Sequence, residues 1–378
     1  MRSFGKSVQL AVRSNVRLIA CATVLFCANA FLLDGAGAQF ITTPLSTPSL
    51  RSSVGNIGVA APSAIVGLGT NFLQKLGNEA TVQWNGPPRS NNPAGGGADL
   101  GVPAAASDPR YRTWFEGYGL SSRLDAEADY AGDRRKTWGG VAGIGMTVMP
   151  GMSAGLSVDR SRTKVDVTSL GQSATIDLTQ IGGNLAFESG AWTLAIAGVG
   201  GFGNVDTSRP DPLAPSLASY DATTWGTLAE LSYLISSGNW RVVPKAGADW
   251  AYVHADAFTE TGGTAPVSAQ DQTTRRARIF AGVEVGHSWF GDQSIFDLAA
   301  YGRLVQIVAQ DISAVQFSAA GFTPVAVQGV AESRTGLDAG AAASLQLSQA
   351  LRLYAVYDGR FLSNFQSHGG TIGLELRW

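Results

Sequence analysis

Cysteine is almost missing from this chain: of 378 residues only Cys21 and Cys27 carry a thiol, and both lie in the leading segment. Once that segment is removed, no disulfide framework and no thiolate metal site can be built. Histidine is scarce too, limited to His254, His287 and His368. No metal-ligand spacing joins them. His287 and Ser288 are neighbours in an extended segment, so they point to opposite faces and do not form a hydrolase pair. No cofactor is expected, no metal is expected, and the chain is read as not an enzyme. An excess of base is also lacking. The 27 Lys and Arg stand against 29 Asp and Glu, and no basic stripe is visible along the chain, so nucleic acid is not an expected partner.

What is present begins with a leader. Arg2, Lys6, Arg13 and Arg17 precede an apolar run over 18–33 that Asp34 closes, and Ala36-Gly37-Ala38 fits the small-x-small cleavage pattern. A signal peptide over residues 1–38 is expected, and both cysteines leave with it. After it, no stretch reads as a transmembrane helix. Residues 39–110 are rich in Pro, Gly, Ser, Thr and Asn, with breakers at 86–88 and 93–97, and read as a short passenger or linker. Inside it, 63–84 places Ile65, Leu68, Phe72, Leu73, Leu76 and Ala80 at helical spacing behind Ser63 as N-cap. That spacing predicts an amphipathic helix with Asn71, Lys75 and Glu79 on its polar side, interrupted by Gly67, Gly69 and Gly77.

From 111 to 378 the pattern changes to period two. The chain ends with Ile372, Leu374, Leu376 and Trp378 on one parity and Gly373, Glu375 and Arg377 on the other. Lipid outside and a polar lumen inside require that alternation, with aromatic residues where a strand crosses the headgroups. Twelve strands are predicted, at 111–121, 137–149, 152–166, 174–189, 192–206, 220–236, 240–258, 274–290, 295–310, 333–348, 351–362 and 368–378. The fold class is thus all-β, an antiparallel 12-stranded transmembrane outer-membrane β-barrel. Trp225, Leu231, Ile279, Val283, Phe296 and Leu298 are assigned to lipid. The charges fall on the opposite parity: Glu230, Lys245, Asp249, Glu284, Asp297, Arg303, Arg352, Asp358, Arg360 and Arg377 are predicted to face the lumen. Both signs occur, which predicts a polar lumen crosslinked by ion pairs and weakly selective. A charge on the lipid side would cost about 2–4 kcal/mol for Arg or Lys at the midplane. Tight turns, such as 149–151, 189–190 and 237–239, alternate with long polar loops, and an even strand number brings both barrel ends to the tight-turn side.

The 111–378 stretch resembles the C-terminal translocator β-domain of autotransporters, the type V secretion family. Trp114-Phe115-Glu116-Gly117-Tyr118-Gly119 opens it, Asp125, Asp129, Tyr130 and Asp133 mark an acidic first loop, and Trp138-Gly139-Gly140-Val141-Ala142-Gly143-Ile144-Gly145 follows. Tyr354-Ala355-Val356-Tyr357 and the final Trp378 complete it. The resemblance implies a barrel anchored in the outer membrane of a Gram-negative bacterium, which translocates or displays an N-terminal segment, with a helix before the first strand occupying the pore. It also implies that Ile372, Leu374, Leu376 and Trp378 form the signal read by the outer-membrane assembly machinery, with periplasmic chaperones and outer-membrane lipid as partners and a monomer as the assembled form. The segment ahead of the barrel is too short and polar for the β-helix usual in such passengers. Asn91-Asn92 matches the cleavage site of some autotransporters, but Pro93 breaks a helix there, and cleavage is not expected. A small outer-membrane pore or diffusion channel without a true passenger is the alternative reading.

Overall fold

The computed structural model describes residues 48–80, 110–127, 130–291, 294–319, 323–348 and 350–378. The expected signal peptide, the breakers at 86–88 and 93–97, Trp84, Asn91-Asn92 and Asp129 lie outside the described residues. One helix, α1 (Pro48–Ala80), precedes the strands β1 (Tyr111–Leu124), β2 (Asp133–Met149), β3 (Met152–Val167), β4 (Gln172–Ser189), β5 (Trp192–Arg209) and β6 (Ser216–Tyr233). They are followed by β7 (Trp240–Ala255), β8 (Gln272–Phe290), β9 (Ile295–Ile312), β10 (Thr335–Gln346), β11 (Leu351–Leu362) and β12 (Phe365–Arg377). Each pairs antiparallel with its neighbours in sequence, and β12 returns to β1 along a register from Arg112 opposite Arg377 to Leu124 opposite Phe365. The result is a closed barrel of twelve strands with no free edge.

The alternation read from the sequence is the alternation of the wall. Along β6 every even position from Ser216 to Ser232 is buried, whereas Leu217, Trp225 and the odd positions around them are exposed or half-exposed. At the tight-turn end, exposed or half-exposed aromatic residues form the girdle expected at a headgroup layer: Tyr111 stacks on Trp378 at 6.4 Å, Trp192 packs against Tyr233 at 4.7 Å, and Trp289 against Phe296 at 5.4 Å. At the opposite end, two of the long loops contribute a small second sheet from Phe258–Thr259, Val267–Ala269, Val315–Ala319 and Val325–Val327.

The helix departs from expectation at its start. It begins at Pro48, not behind Ser63, and carries Pro62 inside. Ser63 is no cap; its hydroxyl accepts a bond from Arg135 of β2 at 3.2 Å. Pro62 has no N–H to give the carbonyl of Gly58 four residues back, which is why the sequence read as a helix start there. The barrel supplies the missing donor: Gln272 of β8 donates its side-chain amide to Gly58 O at 2.6 Å. Nearby, Ile57 N–H donates to Gln172 Oε1 of β4 at 3.1 Å. A second correction follows, since Asn56–Ala80 is long and apolar enough to cross a membrane by length and composition. Within the fold it is enclosed by the barrel.

Candidate functional site: the lumen and its helix

At about 1.5 Å per residue the 33 residues of α1 extend about 50 Å, enough to pass a hydrocarbon layer about 30 Å thick. Its direction is fixed by contacts at both ends. Near the loop end, Ala131 N–H, between β1 and β2, donates to Asn56 Oδ1 at 2.9 Å. Near the tight-turn end, Asn184 of β4 donates to Leu76 O at 2.7 Å, and Arg112 of β1 bonds both the Glu79 carboxylate, at 3.0 Å, and the Glu79 carbonyl. The helix therefore runs the length of the lumen from the loop end down to the turn end.

One side of the helix is apolar, and so is the wall it meets. Ile57, Val59, Ile65, Val66 and Leu68 join Val165, Ile176, Leu178, Val205 and Val253 in a continuous buried cluster, to which Phe317 of the small sheet also belongs. Below it Phe72, Leu73 and Leu76 pack on Val199, Leu228 and Phe280. The expectation of a polar lumen is corrected for this side of the wall. A wall facing a helix rather than water loses nothing by being apolar, and burying it against the helix stabilises both by about 25 cal/mol per Å². Gly69 and Gly77 allow close approach, since an added Cβ would stand 3.2 Å from Thr224 Oγ1 and 3.0 Å from Leu228 Cδ2. Gly67 is different: nothing lies within 4 Å of such a Cβ, because that side faces a cavity.

The other side is ionic. Lys75 reaches Glu116 of β1 at 2.6 Å and Thr371 of β12 at 3.0 Å, and Tyr354 of β11 donates to the same Glu116 at 2.9 Å. Arg276 of β8 donates to Thr70 Oγ1 at 2.7 Å and pairs with Glu332, in the segment before β10. Burial alone would raise the Glu332 carboxyl. The guanidiniums of Arg276, Arg360, Arg135 and Arg278 outweigh it and hold the group below its ordinary value. Between this face and the wall lie small cavities of about 80 and 30 Å³, lined in part by Asn71, Gln74, Tyr301 and Asp358, with room for a few waters.

The structure places all ten lumen residues named from the sequence on the inner wall and joins most of them into two relays. Glu230 lies 3.9 Å from Lys245, Lys245 3.0 Å from Glu284, Glu284 3.2 Å from Arg241, and Arg241 2.8 Å from Asp297. Asp249 pairs with Arg278 at 2.6 Å, Arg278 stands 4.0 Å from Asp338, and Asp338 takes Arg303 at 3.0 Å and Arg360 at 3.2 Å. Asp358 accepts from Tyr301 at 2.6 Å, while Arg352, at 2.9 Å, and Arg377 meet on Glu375. Missed were Arg112, Glu116, Arg241, Arg276 and Arg278, although each shares the parity of an inward neighbour. The terminal residues Ile372, Leu376 and Trp378 are exposed on the outer wall, and Leu374 is half-exposed. His287 packs edge-on to Trp240 at 4.6 Å, while Ser288 points inward and donates to Asp297 at 2.7 Å. Among the described residues no group of three or more His, Cys, Asp or Glu is placed to hold a metal.

A family model described as the autotransporter beta-domain matches residues 113–358. Among solved structures, the translocator domain of the autotransporter NalP from Neisseria meningitidis is similar with a TM-score of 0.66 at 13% identity, covering 85% of this chain and 99% of that one. The β domain of the Bordetella autotransporter BrkA is similar with a TM-score of 0.53 at 12% identity, covering 71% of this chain and 100% of that one. At such identities the likeness concerns the fold. No curated protein matches the sequence.

Proposed function

The chain belongs to the autotransporter β-domain family, and from that premise we propose that α1 is the final state of a segment translocated through the lumen and that it serves as plug and anchor once transport ends. The barrel itself is an outer-membrane translocator of a Gram-negative bacterium, and translocator domains of this kind are not enzymes. The observation that carries the reading is that α1 spans the lumen while bonded to the wall at both ends. An apolar stripe against an apolar wall gives the retained helix a resting place. The polar side, with its cavities, leaves a wet track along β8 to β12 and β1. Translocation of the N-terminal segment, cleavage of the leader after Ala38, delivery by periplasmic chaperones to the assembly machinery and function as a monomer belong to the same reading. Any activity of exported cargo would reside outside the barrel.

Planar-bilayer conductance tests it. With α1 in place the barrel should pass only a small current through the side cavities. The form lacking residues 39–109 should open a large, steady conductance while remaining a folded, heat-modifiable barrel. Equal conductance of the two forms would show that the helix does not block the lumen in the membrane.

A further inference from the structure

The outer wall carries a feature that translocation does not use. On the lipid-facing parity, Gly117 of β1 stands opposite Gly140 of β2 and Ile372 of β12, and Gly119 stands between Gly370 and Trp138. A Cβ placed on Gly117 or Gly370 meets nothing within 4 Å, and one on Gly119 meets only Thr137 O at 3.9 Å. Glycine inside a strand weakens it and often marks the close approach of another group. Here the missing side chains leave an apolar furrow of about 530 Å³, walled by Phe115, Ala142, Val158, Ile372 and Leu374, with Arg160 at its loop-side edge.

Directly loopward of the furrow lies a patch of cations. Lys136 of β2 is opposite Lys164 of β3, Trp138 is opposite Arg162, and Arg134, two residues further along β2, is opposite Asp166. All are exposed on the outer wall. Their charges are not evenly answered. Arg162 is neutralised by two bonds to Asp177, at 2.7 and 2.8 Å, and its guanidinium lies 5.9 Å from the centre of the Trp138 ring. Lys164 reaches Asp166 at 3.2 Å. Arg160 donates only to the Thr179 hydroxyl, at 3.5 Å, and among the described residues no carboxylate pairs with Arg134, Lys136 or Arg160. Like charges directly opposite on adjacent strands destabilise a sheet; Asp166 answers Lys164 alone, which leaves Lys136 to be answered by a further anion. In the sequence the patch shows only as the short run Arg134-Arg135-Lys136, whose middle member points inward, and as Arg160, Arg162 and Lys164 at every second position of β3.

We propose that this face of β1, β2 and β3 binds a phosphorylated glycolipid of the outer leaflet, with an acyl chain in the furrow and phosphates held by Lys136, Lys164, Arg134 and Arg160. The inference rests on the outer-membrane placement of the barrel and is independent of the plug. Phosphate bridging several cations is the strong form of such recognition. A lipid with several phosphates over several chains matches both halves of the surface; a free anion would leave the furrow empty.

The test uses the complete barrel with its helix in phosphatidylcholine vesicles, alone or with diphosphorylated lipid A, dephosphorylated lipid A or phosphatidylglycerol, and separately with inorganic phosphate. The readouts are the temperature of heat-modifiable conversion and retained lipid by native mass spectrometry. Diphosphorylated lipid A should raise the temperature and remain bound, and the other additions should not. Lys136→Gln/Lys164→Gln should lose the shift while converting at or above the wild-type temperature in phosphatidylcholine, since the opposed charges are gone. Gly117→Leu, which fills the furrow, should lose it as well and decides the matter if the double variant does not fold. A shift that persists in Gly117→Leu, or an equal shift with phosphatidylglycerol or inorganic phosphate, overturns the proposal.

Discussion

A single residue step separates lipid from lumen in this wall, and the two environments make opposite demands. Val283 is 43% exposed on the outer face, whereas Glu284 is fully buried between Arg241 and Lys245. Val283→Arg places a charge in hydrocarbon at about 2–4 kcal/mol near the midplane, and its expected outcome is a sharp fall in membrane-assembled barrel. Glu284→Gln removes a charge but leaves Arg241 its bonds to Asp297, at 2.8 Å through Nη2, and Lys245 its neighbour Glu230 at 3.9 Å. That variant should assemble, with a lower unfolding temperature because a charged hydrogen bond is worth about 1.5–3 kcal/mol. Assembly yield and heat-modifiable migration of the pair check both, and the reverse ranking would place the register one residue off. The parity of the charges was legible in the sequence because lipid forbids them on one side. The particular partners were not, since Arg241 of β7 meets Asp297 of β9 only after the strands are staggered around the barrel.

At the scale of elements, β-strands and helix were legible to different degrees for a physical reason. A strand in this wall answers to two fixed media, so its period survives in every segment; even β11, Leu351–Leu362, is bounded as its alternation predicts. The helix answers to one irregular neighbour. Ile65, Leu68, Phe72, Leu73 and Leu76 were found from their spacing and are all buried, but the turns before Pro62 depend on an acceptor carried by β4, Gln172 Oε1, and a donor carried by β8, the Gln272 amide, which no local reading of α1 contains. This dependence is testable. Gln272→Leu should leave Gly58 O buried without a donor, at a cost of about 1–3 kcal/mol, and loosen the outer half of the helix. Pro62→Ala restores an N–H four residues after Gly58 and should make the Gln272 substitution nearly silent. Hydrogen exchange of residues 56–66 in the two single variants and the double variant measures the coupling, and a Gln272→Leu effect that persists undiminished beside Pro62→Ala would assign Gln272 a different task.

For the whole molecule, the decisive contact is where the chain's first and last strands meet. Tyr111 and Trp378 exchange two backbone hydrogen bonds, at 2.9 and 3.0 Å, beneath their stacked rings. The lumen helix α1 grips the same seam from within, because Lys75 bonds Glu116 on β1 and Thr371 on β12. Removing Trp378 therefore touches closure, and on the reading of Ile372, Leu374, Leu376 and Trp378 as an assembly signal it touches recognition as well. The two effects separate by where folding takes place. Closure alone is worth about 1 kcal/mol for each of two backbone bonds, with the rest of the β1–β12 register, from Arg112 to Leu124, still paired. Deletion of Trp378 should then leave refolding into detergent nearly intact, with a modest drop in unfolding temperature. In cells the same deletion should strongly reduce the heat-modifiable form, and Trp378→Phe should restore it by returning an aromatic ring and both backbone bonds. Equal, small losses in detergent and in cells would reduce the terminal residue to a closure contact and remove its role as a signal.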